Sequence, residues 1–344
     1  MTAEEQFKKY SGIWIKNGIS NVVPVIGSGV NLQAEKLEGK NQGLNWDTLI
    51  KEIISETGIP SLQSLELPDS FIRKWETVLR IVTVNTRGYK PYLTEKDLQK
   101  KVQFILNYYE ESCKNYDLYK VILNTKFKDI ISLNFDRCLA LAGQTRTITS
   151  LSNEKSKDGT TLYRHSLINR KKSSTRIWYP HGDTKRLDTI KLGVRKYGTY
   201  INWIESLRGS YMHRWNEEDE IYCKYNERSW IPPNEWDSTV RSWTKPSSWV
   251  NIFKSAPLLF IGCSLLPDEW PLWYLLNQRA RQTAFLDQKG SPDDRPETIV
   301  LTAGKTRPIH LLNHPEYIVN IHFESYDKMW KTVTDFFENG KNRS

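Results

Sequence analysis

The chain has 344 residues with 49 basic and 40 acidic side chains, which gives a formal net charge of +9. The chain is longer than most domains that have a single hydrophobic core, but its length suits one large α/β domain with helical insertions. The positive charge and a pI of about 9.1 favour anionic partners, either dinucleotide phosphates or nucleic acid, but the charge is too scattered to mark a nucleic-acid site.

The first third of the chain predicts an N-terminal helix, a buried strand and a capped helix. Residues 1–16 have an amphipathic pattern, and residues 21–26 form an apolar strand that runs into a glycine loop. Asn45 precedes apolar residues spaced i, i+3, i+4, i+7 and i+8, a spacing typical of a helix, and Gly58 closes it. We assign residues 61–125, which show helical but no strand periodicity, to a helical insertion.

The rest of the chain alternates short apolar runs with helical patterns. We predict strands over residues 127–133, 177–179, 258–261, 298–302 and 317–323. A tryptophan-rich segment, residues 200–250, interrupts this alternation and is interpreted as a second helical insertion. Alternating strands and helices predict an α/β fold with a doubly wound, Rossmann-like parallel sheet.

Four short motifs each follow a predicted strand. They are Val25-Ile26-Gly27-Ser28-Gly29-Val30-Asn31, Ser132-Leu133-Asn134-Phe135-Asp136, Pro180-His181-Gly182-Asp183 and Gly262-Cys263-Ser264-Leu265. Because the carboxyl ends of parallel strands share one edge of a sheet, we expect the motifs to lie together. Open α/β sheets bind nucleotides at that edge.

The two glycine motifs suit a dinucleotide. Gly27 and Gly29 let backbone amides approach a pyrophosphate with no Cβ in the way, although Leu32 replaces the third glycine of the full fingerprint. An ordinary tight turn is an equal alternative for this motif alone. Gly262 and Ser264 repeat the arrangement on a later strand, where a hydroxyl can contact ribose or phosphate.

The other two motifs carry side chains suited to catalysis. Asn134 and Asp136 project on the same side of a strand end, where they can orient a ribose hydroxyl or water, or alternatively cap the next helix. His181 lies between a strand and a glycine, where a neutral imidazole can accept a proton. A structural role is the alternative for this histidine.

Cysteine spacing argues against a metal. Cys113, Cys138, Cys223 and Cys263 are far apart and form no Cys-x-x-Cys pair, so we predict no metal site and no zinc. The N-terminus lacks the apolar core of a signal peptide, and the longest apolar stretch is shorter than the ~20 residues that span a bilayer. We therefore expect free cysteines, a cytoplasmic location and no membrane contact.

In their order and chemistry the four motifs resemble those of the sirtuin family. The helix that begins after Asn45, and Asp268 shortly after the last motif, also resemble features of bacterial sirtuin-like defence proteins. The resemblance implies one sirtuin-type domain over residues 1–344. Its core strands and NAD pocket would lie in residues 20–60, 126–142, 177–195 and 256–324.

The resemblance also implies roles for individual residues. Asn134, Asp136 and His181 would be catalytic, with His181 as the base. The expected contacts to NAD are Gly27, Ser28, Gly29, Asn31, Gly262 and Ser264. The zinc module of protein-deacylating sirtuins, two Cys-x-x-Cys pairs after the His-Gly, is missing from this sequence.

The resemblance therefore implies an NAD glycohydrolase that depletes NAD during phage infection. It further implies a homo-oligomer and a partner defence protein, such as a hexameric DNA-translocating ATPase. Three alternatives stay open at this point. They are a protein deacylase or ADP-ribosyltransferase, a non-catalytic sensor of NAD or ADP-ribose, and a nucleic-acid-binding protein suggested by the charge and the tryptophans.

Overall fold

Seven strands form the central sheet of the computed structural model. They are β1 (Val23–Ile26), β2 (Asp129–Ser132), β3 (His165–Asn169), β4 (Ser174–Trp178), β5 (Leu258–Ile261), β6 (Thr298–Ala303) and β7 (Val319–Phe323). The strands lie in the order β3-β4-β2-β1-β5-β6-β7. All neighbours are parallel except β3 and β4, which pair as an antiparallel hairpin. The predicted parallel sheet is confirmed, and the antiparallel edge strand adds to it.

The structure describes residues 1–40, 44–64, 66–68, 70–85, 91–113, 116–143, 161–162, 164–169, 174–212, 248–288, 297–305 and 318–341. The helices in these ranges are α1 (Ala3–Asn17), α2 (Ser28–Leu37), α3 (Trp46–Thr57), α4 (Pro60–Gln63), α5 (Phe71–Asn85), α6 (Pro91–Cys113), α7 (Asp117–Asn124), α8 (Cys138–Ala142), α9 (Gly193–Met212), α10 (Trp249–Ser255), α11 (Trp270–Gln288) and α12 (Tyr326–Lys341). Most of the predicted tryptophan-rich insertion, from residue 213 to residue 247, lies outside them.

Helices cover both faces of the sheet, and the strands supply apolar side chains to each. Along β5, Leu258 and Phe260 join one core cluster with α10 and α11, whereas Leu259 and Ile261 join another with α1, α7 and α12. Successive side chains of a strand point to opposite faces, so a strand buried on both sides is apolar throughout. The sheet is therefore doubly wound, as predicted.

A third apolar cluster joins the helices α3, α5 and α6 to the segment after β4. Within it Ile53, Trp75 and Val102 are fully buried, and Phe135 from the end of β2 packs against them. Asn45 caps α3 by accepting hydrogen bonds from the backbone N–H groups of Asp47 and Thr48, as its position predicted. This helical cluster contacts the carboxyl edge of the sheet at the motif that contains Phe135.

The prediction that the cysteines are free is wrong for Cys113 and Cys138, which form a disulfide. The end of α6 and the start of α8 meet only in the folded chain, so spacing along the sequence does not reveal the pair. Cys263 is free and buried. The disulfide removes the argument from cysteines for a reducing compartment. Among the helices described above, none is both long enough and apolar enough to cross a membrane.

Candidate active site

The four motifs lie at the carboxyl ends of four adjacent strands, β4, β2, β1 and β5. Ile26 is in register with Ser132 on one side and with Ile261 on the other, so the loops after these strands begin at the same level. The chain adds β2, β3 and β4 on one side of β1 and then crosses to β5 on the other. Open α/β sheets bind ligands at such a switch point, outside the strand ends.

The two glycine loops pack directly against each other. The Gly27 N–H donates to the Ile261 carbonyl at 3.1 Å, and the Gly29 N–H donates to the Gly262 carbonyl at 3.0 Å. A Cβ on Gly29 would lie 2.7 Å from the Gly262 Cα, and Gly262 itself has a φ of +64°. The glycines thus allow the close approach of two loops, which is the tight-turn alternative.

Ser28 is the member of the first loop that is left for a ligand. Neither its backbone N–H nor its hydroxyl bonds to any residue in the described ranges, and the residue is partly exposed at the first position of α2. A free N–H at the start of a helix favours an anion. In the second loop Ser264 is exposed, whereas the Cys263 thiol is buried and donates to the Val25 carbonyl at 3.2 Å. Burial raises the pKa of Cys263, which argues against a nucleophilic thiolate.

Asn31 and Asp136 bind each other rather than an open pocket. The Asn31 amide donates to Asp136 Oδ2 at 2.7 Å, and its carbonyl accepts from the Tyr119 hydroxyl at 2.8 Å. Asp136 Oδ1 accepts the backbone N–H of Cys138, which fits the helix-capping alternative. Burial raises the pKa of Asp136, and the bond from Asn31 opposes that rise. These contacts tie the loop after β1 to the loop after β2, and the predicted ligand contacts of both residues stay predictions.

Asn134 differs from its two neighbours in the network. Its side chain is 8% exposed and makes no hydrogen bond to a residue in the described part of the chain. Its polar atoms are not among the fully buried ones that lack a partner, so they reach solvent at the strand end and are available to a ligand. Of the predicted Asn-x-Asp pair, Asp136 thus has internal partners for both carboxylate oxygens, whereas Asn134 has none among the described residues.

His181 is fully buried in a ring of aromatic side chains. Tyr197 stacks on the imidazole with 5.8 Å between ring centroids, and Trp46, Phe135 and Tyr200 approach it more nearly edge-on. Within the ranges described, neither ring nitrogen has a hydrogen-bond partner. A buried polar group without a hydrogen bond is costly, and this ring therefore has hydrogen-bonding capacity that the described residues do not use.

A carboxylate that the sequence did not single out lies beside this imidazole. Glu269 Oε2 is 3.2 Å from His181 Nε2, within ion-pair distance although the atoms are not aligned as a hydrogen bond. Glu269 follows the last motif by only a few residues, but a carboxylate at the start of a helix is usually a cap. No sequence signal distinguished it.

The turn that carries His181 is fixed by its neighbours. Gly182 has a φ of +88°, and a Cβ there would lie 2.2 Å from the Thr189 carbonyl oxygen. The Lys191 N–H donates to the His181 carbonyl at 2.8 Å. The glycine after the histidine therefore serves close backbone packing, and the imidazole sits on a rigid support.

A second carboxyl group lies beneath the same edge, on α6. Glu110 Oε1 accepts the backbone N–H of Arg137 at 2.7 Å and the hydroxyl of Thr184 at 2.5 Å. Burial raises its pKa to about 7, although the bond from Thr184 opposes the rise. Glu110 lies in a segment assigned to a helical insertion, and no pattern in that segment connects it with this edge.

The described residues contain no group of three or more His, Cys, Asp or Glu side chains that could hold a metal ion. No family model matches the chain, and no curated protein is similar to it.

Proposed function

We propose that the chain is an NAD glycohydrolase, which cleaves NAD to nicotinamide and ADP-ribose. The observation that carries the proposal is the presence of two polar groups at strand ends beside the glycine loops: the buried His181 imidazole, and the Asn134 amide, which bonds to no residue in the described part of the chain. Both groups belong to motifs that resemble the sirtuin NAD pocket. A nucleotide site at this edge agrees with where open α/β sheets bind ligands.

The reaction asks little of the protein beyond positioning and one proton transfer. As the bond between the ribose C1′ and the nicotinamide nitrogen breaks, its electron pair leaves with nicotinamide, and the ribose gains oxocarbenium character. A water oxygen then bonds to C1′, and the proton that it loses passes to His181. The Asn134 amide would hold the water or a ribose hydroxyl in line, and such positioning supplies much of the rate.

The dinucleotide would bind further along the same edge. The Ser28 N–H at the start of α2 is the donor that remains for the pyrophosphate, and the exposed Ser264 can contact ribose or phosphate. Asn31 and Asp136 would act indirectly in this arrangement, because their polar atoms already hold the two loops together.

Two alternatives share this chemistry in part. A deacylase or ADP-ribosyltransferase breaks the same bond but passes the ribose to another acceptor. The absence of Cys-x-x-Cys pairs from the sequence favours water as that acceptor. A non-catalytic sensor would bind NAD without any need for a buried imidazole beside a carboxylate. A sirtuin-type domain without zinc, a role in anti-phage defence, homo-oligomers, an ATPase partner and a cytoplasmic location remain proposals that rest on the resemblance.

The test separates turnover from binding. We expect Asn134→Ala to lower kcat for nicotinamide release steeply but to change NAD affinity by no more than about tenfold, ~1.4 kcal/mol, because the amide would contact only the reacting part of a large ligand. Calorimetric titration with NAD beside a nicotinamide-release assay measures both. A matched control is His322→Ala, since both ring nitrogens of that histidine already contact Thr302 and Gly304. Loss of NAD binding in Asn134→Ala would make Asn134 an anchoring residue instead.

A further inference from the structure

Glu269 is held in a fixed position at the start of α11. Its backbone N–H donates to the Leu266 carbonyl at 3.0 Å, and its carbonyl accepts the Trp273 N–H at 2.9 Å. The turn just before it contains Leu265, which is 2% exposed and has a φ of +43°. A leucine in the left-handed region costs energy, and residues of this kind cluster at functional sites. The loop that leads to Glu269 thus contains one residue in an unfavourable backbone conformation, and the two backbone bonds fix where α11 begins.

The Glu269 carboxylate lies between the His181 imidazole and one of the aromatic side chains that surround it, Tyr197. Glu269 Oε2 is 3.2 Å from His181 Nε2 and accepts the Tyr197 hydroxyl at 3.5 Å. The side chain of Glu269 is 16% exposed, whereas that of His181 is 0% exposed. Tyr197 therefore makes two contacts: its ring stacks on the His181 imidazole, and its hydroxyl donates to Glu269.

We propose that Glu269 is the positioning residue for His181. Its negative charge, 3.2 Å from Nε2, favours the imidazole proton on that nitrogen and leaves the Nδ1 lone pair as the base. The inference rests on the proposed function and assigns a tautomer and a new residue to that site. A carboxylate close to one ring nitrogen favours the tautomer protonated there and stabilises the imidazolium that forms when the other nitrogen takes a proton. The proton moves from water to Nδ1, and Glu269 stays ionised.

We expect the substitutions Glu269→Gln and Glu269→Asp to have opposite effects on turnover. Glu269→Gln removes the negative charge that favours the proton on Nε2 and stabilises the imidazolium, and an amide N–H turned toward Nε2 further favours the tautomer protonated at Nδ1. We expect kcat for nicotinamide release to fall about 10²-fold, with the KM for NAD changed less than threefold. Glu269→Asp keeps the charge and should recover activity to within about tenfold of the wild type. Glu324→Gln removes a carboxylate that is 82% exposed and serves as the control.

A spectroscopic measurement tests the tautomer without any turnover. Nitrogen NMR of histidine-labelled protein distinguishes Nε2–H from Nδ1–H, and the His181→Ala spectrum identifies the signal. We expect Nε2–H in the wild type and Nδ1–H in Glu269→Gln. A wild-type signal from Nδ1–H would overturn the proposal, as would a Glu269→Gln variant with normal tautomer and kcat.

The two proposals fail in distinguishable ways. If the protein shows the expected tautomers but never releases nicotinamide, the NAD proposal fails and the pairing of Glu269 with His181 stands. If nicotinamide release is normal in Glu269→Gln, the pairing fails and the NAD proposal stands. If Glu269→Gln does not fold, the wild-type tautomer and the activity of Glu269→Asp still decide the question.

Discussion

Replacing Glu110 by glutamine should change how stability depends on pH. The Glu110 side chain is buried, and its pKa rises from 4.5 to about 7 because of that burial. Between those values the folded protein binds a proton that the unfolded chain has released. The free energy of unfolding therefore falls as pH rises through this window, by about 3 kcal/mol in total at 1.36 kcal/mol per pKa unit.

Glutamine imitates the protonated acid and does not titrate. Its carbonyl can still accept the bonds from Arg137 and Thr184, so the variant should keep the fold and lose this pH dependence. Denaturant unfolding at pH 5 and pH 8 measures the effect. We expect the variant to gain about 2–3 kcal/mol over the wild type between the two pH values. The neighbouring exposed carboxylate supplies the control Glu111→Gln, which should follow the wild type. A Glu110→Gln variant that also follows the wild type would refute the reasoning.

Two further predictions concern stability. Gly29→Ala places a Cβ 2.7 Å from the Gly262 Cα and should lower the free energy of unfolding by about 1–3 kcal/mol. Gly12→Ala is the control, because a Cβ added at this helical position would have nothing within 4 Å, and it should not destabilise the protein. Equal denaturant midpoints for Gly29→Ala and Gly12→Ala would contradict the packing argument. Cys113→Ser removes a cross-link between residues 25 apart and should cost about 3 kcal/mol. Alkylation of Cys113 and Cys138 in unfolded, unreduced protein would show that the disulfide does not form.

Much of the fold could be predicted because its strands are buried on both faces. Strands β1, β2 and β5 bury every residue, and the continuous apolar runs of β1 and β5 and the apolar centre of β2 stand out from the sequence. Asn45 caps the start of α3 and Gly58 ends it in a left-handed conformation, and both residue types can be recognised at these positions from the sequence alone. The antiparallel strand β3 lies in a polar segment at the edge of the sheet, so no apolar run in the sequence predicts it.

The candidate site could be predicted only in part, because its contacts join distant residues. Strand ends located the motifs, but the bond from Asn31 to Asp136 spans 105 residues and gives both side chains an internal partner. Glu269 could be recognised as a site residue only from the structure, in which α11 begins beside the imidazole of His181. Residue types and spacing indicate a place on the sheet, whereas packing decides which polar groups there remain free.

The products formed from NAD test the central claim most directly. Purified wild-type protein is incubated with NAD, and the mixture is analysed by mass spectrometry against the same reaction with His181→Ala. We predict equimolar nicotinamide and free ADP-ribose from the wild type and a rate at least 10²-fold lower from the variant, which lacks the general base. NAD that stays intact with the wild type, or that is cleaved equally fast by His181→Ala, would contradict the account.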